Sequence, residues 1–377
     1  MNARQSLDPA GELGLVLRWD ARQGQIVSVE IAHTRPLLAA RLLPGRSPAE
    51  ARALMPALFA LCPQGQGAAA ALALAAAQDE DVGEELEVWR ARLGLETLGE
   101  ILWRFALDWP QALGFAPAPA LLAQVRRIIA SALNASRPPL PTELAELSTL
   151  IGPALLGMSP AEFLQVQSAE RFDAWIEGSD SLAALALAAL RQSSPTLGTA
   201  GWSPLPGLGA EMLYALAHQA RKDVHFAAAP RWHSAPAETG ALARQAGAPL
   251  IRALLERDGA LASTRLAARL VELARLLADP STSADWLFSA TEPEDWGVAG
   301  VQTARGLLVH VAQVRDGRVI DYRIVAPTEW NFSGQGPLAS GLTGQSAACV
   351  EQAQELGRAW VQALDPCVAC RIEVVHA

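Results

Sequence analysis

The sequence predicts an α+β fold that is mostly helical, with a small β-hairpin near each end of one long helical body. Three observations carry this. Residues 13–19 and 26–31 are apolar or β-branched runs separated by Ala21-Arg22-Gln23-Gly24-Gln25, which reads as a hairpin. Residues 306–314 and 318–325 repeat the pattern around Asp316-Gly317, a tight-turn pair. Between the hairpins, apolar residues, many of them alanine, recur with helical period.

The helical body opens at Ser47-Pro48-Ala49-Glu50, which has the form of an N-cap, a proline at the first position and an acidic residue at the third. That helix runs towards Phe59 and is interrupted by Cys62-Pro63-Gln64-Gly65-Gln66-Gly67, after which an Ala/Leu helix continues to about residue 77. Residues 84–93, 95–107, 120–133, 141–150, 159–175 and 179–191 read as further helices. Proline and glycine cluster over 198–209, which reads as a surface loop, and helical pattern resumes at once. Helices follow from Glu238-Thr239-Gly240-Ala241 and over 250–256 and 261–277. A last helix over 346–364 leads into Asp365-Pro366-Cys367-Val368-Ala369-Cys370. The whole is read as one domain over 1–377: hairpin 13–31, helical body 47–300, hairpin 306–325 and cysteine motif 365–370. Pairing of the two hairpins into one sheet would bring Cys62 near the C-terminus.

Half of the residues are hydrophobic, which is ample for a sizeable core, and the net charge is −9. Positive charge is almost all arginine, Lys222 being the only lysine, and no basic run is interleaved with aromatics. Nucleic acid is therefore not an expected partner. The N-terminal residues 1–8 hold no apolar segment and do not read as a signal peptide. The Ala-rich run over 68–77 is too short to span a bilayer, so no membrane insertion is expected. Four cysteines, Cys62, Cys349, Cys367 and Cys370, are too few for a disulfide scaffold. The reading is a cytoplasmic protein with reduced thiols.

Cys367 and Cys370, three apart, would share one side of a helical turn, with Asp365 as its N-cap and Pro366 at its first position. A helix N-terminus favours the thiolate, the form that binds soft metals. The same spacing serves a redox dithiol or half of a zinc site.

Taken together, these stretches resemble the large subunit of nickel–iron hydrogenases. The resemblance rests on Thr303-Ala304-Arg305-Gly306-Leu307-Leu308-Val309-His310, on Ile324-Val325-Ala326-Pro327-Thr328-Glu329-Trp330-Asn331 and on the cysteine motif, with weaker matches at 238–244 and in the first hairpin. It implies a large-subunit-like fold. It also implies a metal site with two pairs of cysteines, the second of each pair bridging nickel and iron. Here Phe59 replaces one terminal nickel ligand, Ala57 an arginine and Gln66 a histidine, while Cys62, Cys367 and Cys370 remain. By this resemblance the metal ligands are Cys62, Cys367 and Cys370, and the bridging positions are Cys62 and Cys370, which should lie within a few ångströms of each other. Arg305 and Thr328, in the Ala304-Arg305 and Pro327-Thr328 pairs, stand where the family hydrogen-bonds cyanide ligands of iron. Glu12 falls where the family binds magnesium, with His376 as a further candidate.

The incomplete cysteine set, Glu373 in place of the family's last histidine and the absence of an extension beyond Ala377 match the pattern of HupK/HoxV-type hydrogenase maturation proteins. The resemblance then implies a non-catalytic scaffold that holds or assembles iron with two cyanides and one carbon monoxide, and little nickel. Its implied partners are a maturation chaperone, an iron–sulfur assembly protein and the immature large subunit. A working large subunit and a metal-free paralogue are the rival readings. Each residue also has a structural reading. Cys62 reads equally as a small buried hydrophobe, Cys349 as core, His310 as a satisfied core histidine, Arg305 as one half of an ion pair and Thr328 as a turn cap.

Overall fold

The structure, a computed structural model, describes residues 11–34, 38–83, 85–135, 141–194, 198–199 and 201–377. The expected lack of a signal peptide over 1–8 and the helix start at residue 84 lie outside the described residues.

The first expected hairpin is present as strands β1, Glu12–Asp20, and β2, Gln25–His33. Leu13, Leu15, Leu17 and Trp19 alternate into the core, so the pleat fixes which face is buried. Two short strands, β3, Gly198–Thr199, and β4, Ala260–Leu261, pair across the helical body. A four-stranded antiparallel sheet follows in simple order: β5, Leu287–Glu292; β6, Trp296–Thr303; β7, Gly306–Arg315; and β8, Arg318–Val325. The second expected hairpin is β7–β8, with Asp316 at φ +49° and Gly317 at φ +67° in its turn. The last strand, β9, Ala369–His376, joins the first sheet, lying parallel to β1 in the order β2-β1-β9.

Four expectations are corrected here. The helical body does not run to residue 300, because strands β5 and β6 lie within its last part, where the burial of β6 on both faces removes any alternation. The hairpins do not share a sheet; the partner of the first hairpin is the C-terminal strand β9. The cysteine motif is not a helical turn. The last helix, Val350–Leu364, ends at Asp365 in the left-handed region (φ +57°), and Cys370 pairs with Leu13 in the ladder. Cys349 is also corrected: it is exposed as the N-cap of that helix, outside its buried face.

The four-stranded sheet is covered on both faces. The helix Pro63–Ala76, buried from Gly65 to Ala76, packs on β6 and β7. Gly297 of β6 permits that contact, because a Cβ there would lie 2.2 Å from the Ala73 carbonyl. The helix Ala210–Lys222 covers the opposite face, its Leu213 and Leu216 sharing a core cluster with Val309 and Val311. The larger core surrounds the helix Ala262–Ala278, which is buried along almost its whole length.

The helix Glu85–Trp103 passes into a π-turn, Arg104–Asp108, before Trp109–Leu113. Pro110 has no N–H for the Ala106 carbonyl, and the Ala118 N–H serves it instead at 2.8 Å. Among the described residues, no helix is long and apolar enough to cross a membrane.

Candidate metal centre

Three connections converge on one buried pocket. The first begins at the helix Pro48–Leu58, which starts with the expected capping box of Ser47 and Glu50. Phe59, in extended conformation, ends it and packs against the core. The chain then turns so that Cys62 becomes the N-cap of Pro63–Ala76. Its sulfur makes no capping bond. The Glu96 carboxylate takes over that role, accepting from Gln64 N–H at 2.8 Å and Gly65 N–H at 3.1 Å. The Cys62 sulfur is thus left for other partners, and it receives the Gln66 side-chain N–H at 3.7 Å.

The second connection is the β6–β7 turn, Thr303-Ala304-Arg305-Gly306. Gly306 has φ +129°, and a Cβ there would lie 2.7 Å from Thr239 Oγ1. Thr239 holds the turn by accepting from Leu307 N–H at 2.8 Å, and is itself clamped by Asn331, whose Oδ1 accepts from Thr239 N–H at 3.0 Å and whose Nδ2 donates to Thr239 O at 2.9 Å. The motif segments around 239, 305 and 328 are therefore one hydrogen-bonded unit. Ala304 and Pro327 are buried within it, as backbone spacers for Arg305 and Thr328.

The third connection is Asp365 to Cys370. Thr328 Oγ1 accepts from the Cys367 N–H at 3.2 Å and lies 3.0 Å from the Cys367 sulfur. Thr328, expected to face a cyanide, is engaged with Cys367 in this structure. Asp365 is 5% exposed and meets two arginines, the half-buried Arg104 through Nη2 at 2.6 Å and the buried Arg305 through Nε at 3.5 Å. Arg269 donates to the Gln362 and Ala363 carbonyls at the end of the same helix. Burial works against the Asp365 carboxylate, but Arg305, Arg104 and Arg269 together hold its pKa below the ordinary value.

Arg305 is the hub. It is 4% exposed and donates from Nη2 to Glu100 at 2.7 Å. Its buried Nε–H makes no hydrogen bond of acceptable geometry. Burial opposes its charge, yet Asp365, then Glu100, Cys367 and Cys62 raise its pKa above the ordinary value. The thiols of Cys62 and Cys367 therefore both lie within electrostatic reach of one guanidinium.

Cys370 is placed differently. Burial, with the Glu12 carboxylate second, pushes its pKa up to about 11, and no arginine offsets them. It lines a cleft of about 390 Å³ together with Leu61, Trp103, Arg104, Asp365 and Pro366. The Arg305 pocket thus groups Cys62 with Cys367, and Cys370 faces the adjoining cleft next to Leu61. No group of three or more His, Cys, Asp or Glu side chains stands close enough to hold a metal ion among the described residues.

The shared magnesium site of Glu12 and His376 is corrected. Glu12 pairs with Ala369 and His376 with Trp19, at opposite ends of the β1–β9 ladder. Seven register steps of ~3.3 Å separate them by about 23 Å. Glu12 meets Arg371 at 3.9 Å, and His376 packs against the Trp19 ring at 5.5 Å.

A family profile described as nickel-dependent hydrogenase matches residues 258–373, which contain β7, Arg305, Thr328 and both C-terminal cysteines. Over 98% of this chain and 100% of the relative, the chain is 34% identical to the hydrogenase expression/formation protein HupK of Azotobacter vinelandii. The chain belongs to the HupK/HoxV family of hydrogenase expression/formation proteins. HoxV of Cupriavidus necator is 30% identical, over 97% of each chain. Among solved structures, the Ni-Fe-Se hydrogenase from D. vulgaris Hildenborough superposes with a TM-score of 0.58 at 16% identity, covering 91% of this chain and 94% of that one. The HupK/HoxV chain thus has the hydrogenase large-subunit-like fold that its motifs implied.

Several residues of this HupK/HoxV pocket escaped the sequence reading. By sequence, Glu96, Glu100 and Arg104 read only as members of the helix expected over 95–107. Their i, i+4 spacing continues a charged row from Arg92 through Glu96 and Glu100 to Arg104 at the helix end, which is the signal that could have singled them out. The π-turn at Arg104 is a second mark of a functional segment. Burial pushes the pKa of Glu96 up to about 8, against the two backbone donors that favour its carboxylate.

Proposed function

We propose that this chain is a non-catalytic scaffold of nickel–iron hydrogenase maturation, which holds iron bearing two cyanides and one carbon monoxide before its delivery to the hydrogenase large subunit. The observation that carries this reading is Arg305, buried, within electrostatic reach of both Cys62 and Cys367, and retaining an N–H without a hydrogen bond. Thiolates are ligands for soft metals, and a buried cyanide nitrogen is an acceptor that needs such a donor. A donor set of two thiols suits an iron atom whose other positions are filled by three diatomic ligands. Phe59, packed into the core where the resemblance implies a nickel thiolate, leaves a nickel site one ligand short. The names of the full-length relatives, which are expression/formation proteins, support an accessory role.

In this reading Cys62 and Cys367 hold the iron, and Arg305 donates to a cyanide. Cys370, in the cleft next to Leu61, is the thiol placed to exchange during delivery. Delivery exchanges this chain's Fe–S bonds for those of the recipient, with no change in oxidation state. The partners are a maturation chaperone, an iron–sulfur assembly protein and the immature large subunit. A magnesium site shared by Glu12 and His376 has no part in it, since the two stand apart.

The test is anaerobic purification from a host with the complete pathway, followed by metal analysis and infrared spectroscopy. Iron near stoichiometry and cyanide and carbonyl stretching bands are expected, with the bands lost in Cys62→Ala and in the double variant C367A/C370A. Stoichiometric nickel, hydrogen-uptake activity, or iron without diatomic bands would overturn the proposal.

A further inference from the structure

Behind Cys62 lies a file of buried polar side chains that the proposed function does not use. Gln66 is one helical turn from Cys62 and 1% exposed. Its Nε2 lies 3.7 Å from the Cys62 sulfur and its Oε1 3.0 Å from His310 Nε2. His310, on β7 and fully buried, places its other nitrogen 2.7 Å from the hydroxyl of Tyr322 on β8, also fully buried. The rings meet edge-on, 5.5 Å between centroids at 78°, so the hydroxyl lies at the imidazole edge and not over its face.

We propose that Tyr322, His310 and Gln66 form a one-way hydrogen-bond relay that fixes the Cys62 sulfur as an acceptor. The direction follows from counting protons. Burial drives the pKa of His310 down to about 3, so the imidazole is neutral and carries a single N–H. With that proton on Nε2, the ring donates to Gln66 Oε1, Nδ1 accepts from the Tyr322 O–H, and the Gln66 N–H is directed at Cys62. Every polar group in the file is then satisfied. With the proton on Nδ1, the ring would donate to the Tyr322 oxygen and Gln66 would have to turn its carbonyl to the sulfur. The buried Tyr322 O–H would then lack an acceptor, as His310 is its partner among the described residues. An unmet buried hydroxyl disfavours that arrangement by about tenfold or more. A phenol on the edge strand β8 therefore decides which end of the Gln66 amide reaches Cys62. Gln66, His310 and Tyr322 are positioning residues for that sulfur.

The inference rests on Cys62 being a ligand in the proposed function, but both of its tests use protein free of metal. Failure here is therefore distinct from failure of the infrared test. In protein labelled with ¹⁵N-histidine, the long-range ¹H–¹⁵N spectrum should show His310, assigned by its loss in His310→Gln, with the proton on Nε2. In Tyr322→Phe the Nδ1 resonance should move towards that of an unbonded ring nitrogen while the Nε2 proton stays. The second measurement is the rate of Cys62 alkylation by iodoacetamide at one fixed pH, read by peptide mass spectrometry. Losing a donor to a charged sulfur should slow the reaction about tenfold in Gln66→Leu, and further in Gln66→Glu, which presents an acceptor. If Gln66 only filled space, both variants would loosen the site and speed alkylation. A proton on His310 Nδ1, or Gln66→Leu alkylated as fast as the unsubstituted protein or faster, overturns the relay.

Discussion

Asp365→Asn removes the carboxylate that gathers Arg104, Arg269 and Arg305 while keeping the shape of the side chain. Asp365 and Arg305 are 5% and 4% exposed, and Arg104 is 20% exposed. Breaking a buried pair by deleting one partner costs about 3–5 kcal/mol, because the remaining charge is stranded without compensation. Partial exposure of Arg104 lets water take up some of that charge, so about 3 kcal/mol is expected. The assay is urea unfolding at pH 7, followed by the fluorescence of the 11 tryptophans. The arginines then supply a control. Adding Arg104→Leu to Asp365→Asn removes one of the three cations, which also pairs with Asp108, so the double variant should cost less than the sum of the two single variants. The pH dependence has a definite sign. The folded pKa of Asp365 lies below its ordinary 3.8, so its contribution is complete above that value and is lost only as pH falls through the folded pKa. The penalty of Asp365→Asn should therefore be the same at pH 7 and pH 5. A cost under about 1 kcal/mol, or a double variant whose losses simply add, would refute the view that this carboxylate compensates the arginine cluster.

Two further outcomes follow from the same pocket. Gly306→Ala would force a Cβ to within 2.6 Å of Thr239 Cγ2 at a φ of +129°, so a loss of about 3 kcal/mol in urea unfolding is expected, and unchanged stability would show that the turn has room. Glu96, with a folded pKa of about 8 against 4.5, favours folding most at low pH, and its contribution falls as pH rises from 4.5 through about 8; allowing for its partial exposure, Glu96→Gln should flatten that part of the stability profile by on the order of 2 kcal/mol, and an unaltered slope would rule Glu96 out as its source.

The residues that announced themselves in the sequence were those whose local chemistry is self-contained. The Ser47/Glu50 capping box, the Asp316-Gly317 turn and the alternation of β1 need no distant partner to be read. Strands β5 and β6 were not anticipated. All eight positions of Trp296–Thr303 are buried, so no alternation marks them, and Gly297 and Gly300 read as breakers when they are close-approach sites. The C-terminal cysteines were legible as a motif but not as geometry, because Asp365 takes its conformation from arginines on three other elements, and Cys370 takes its own from β1. The same holds for Gln66, which reads as an unremarkable polar residue until β7 and β8 bring His310 and Tyr322 behind it.

The parallel pairing of β9 with β1 sets an order of events during synthesis. The ribosome delivers β1 long before β9, so one edge of β1 waits while the helical body between them is made. An open strand edge is a template for unwanted pairing, and such a distant contact is slow to form. Asp365 and Cys367 precede β9 directly, so they come to rest against Arg305 only when that final strand docks. Until then Cys62 stands in a half-built pocket. Closure of the outer sheet and completion of the thiol pocket are thus a single event, and neither is open to a chain whose synthesis has not passed His376.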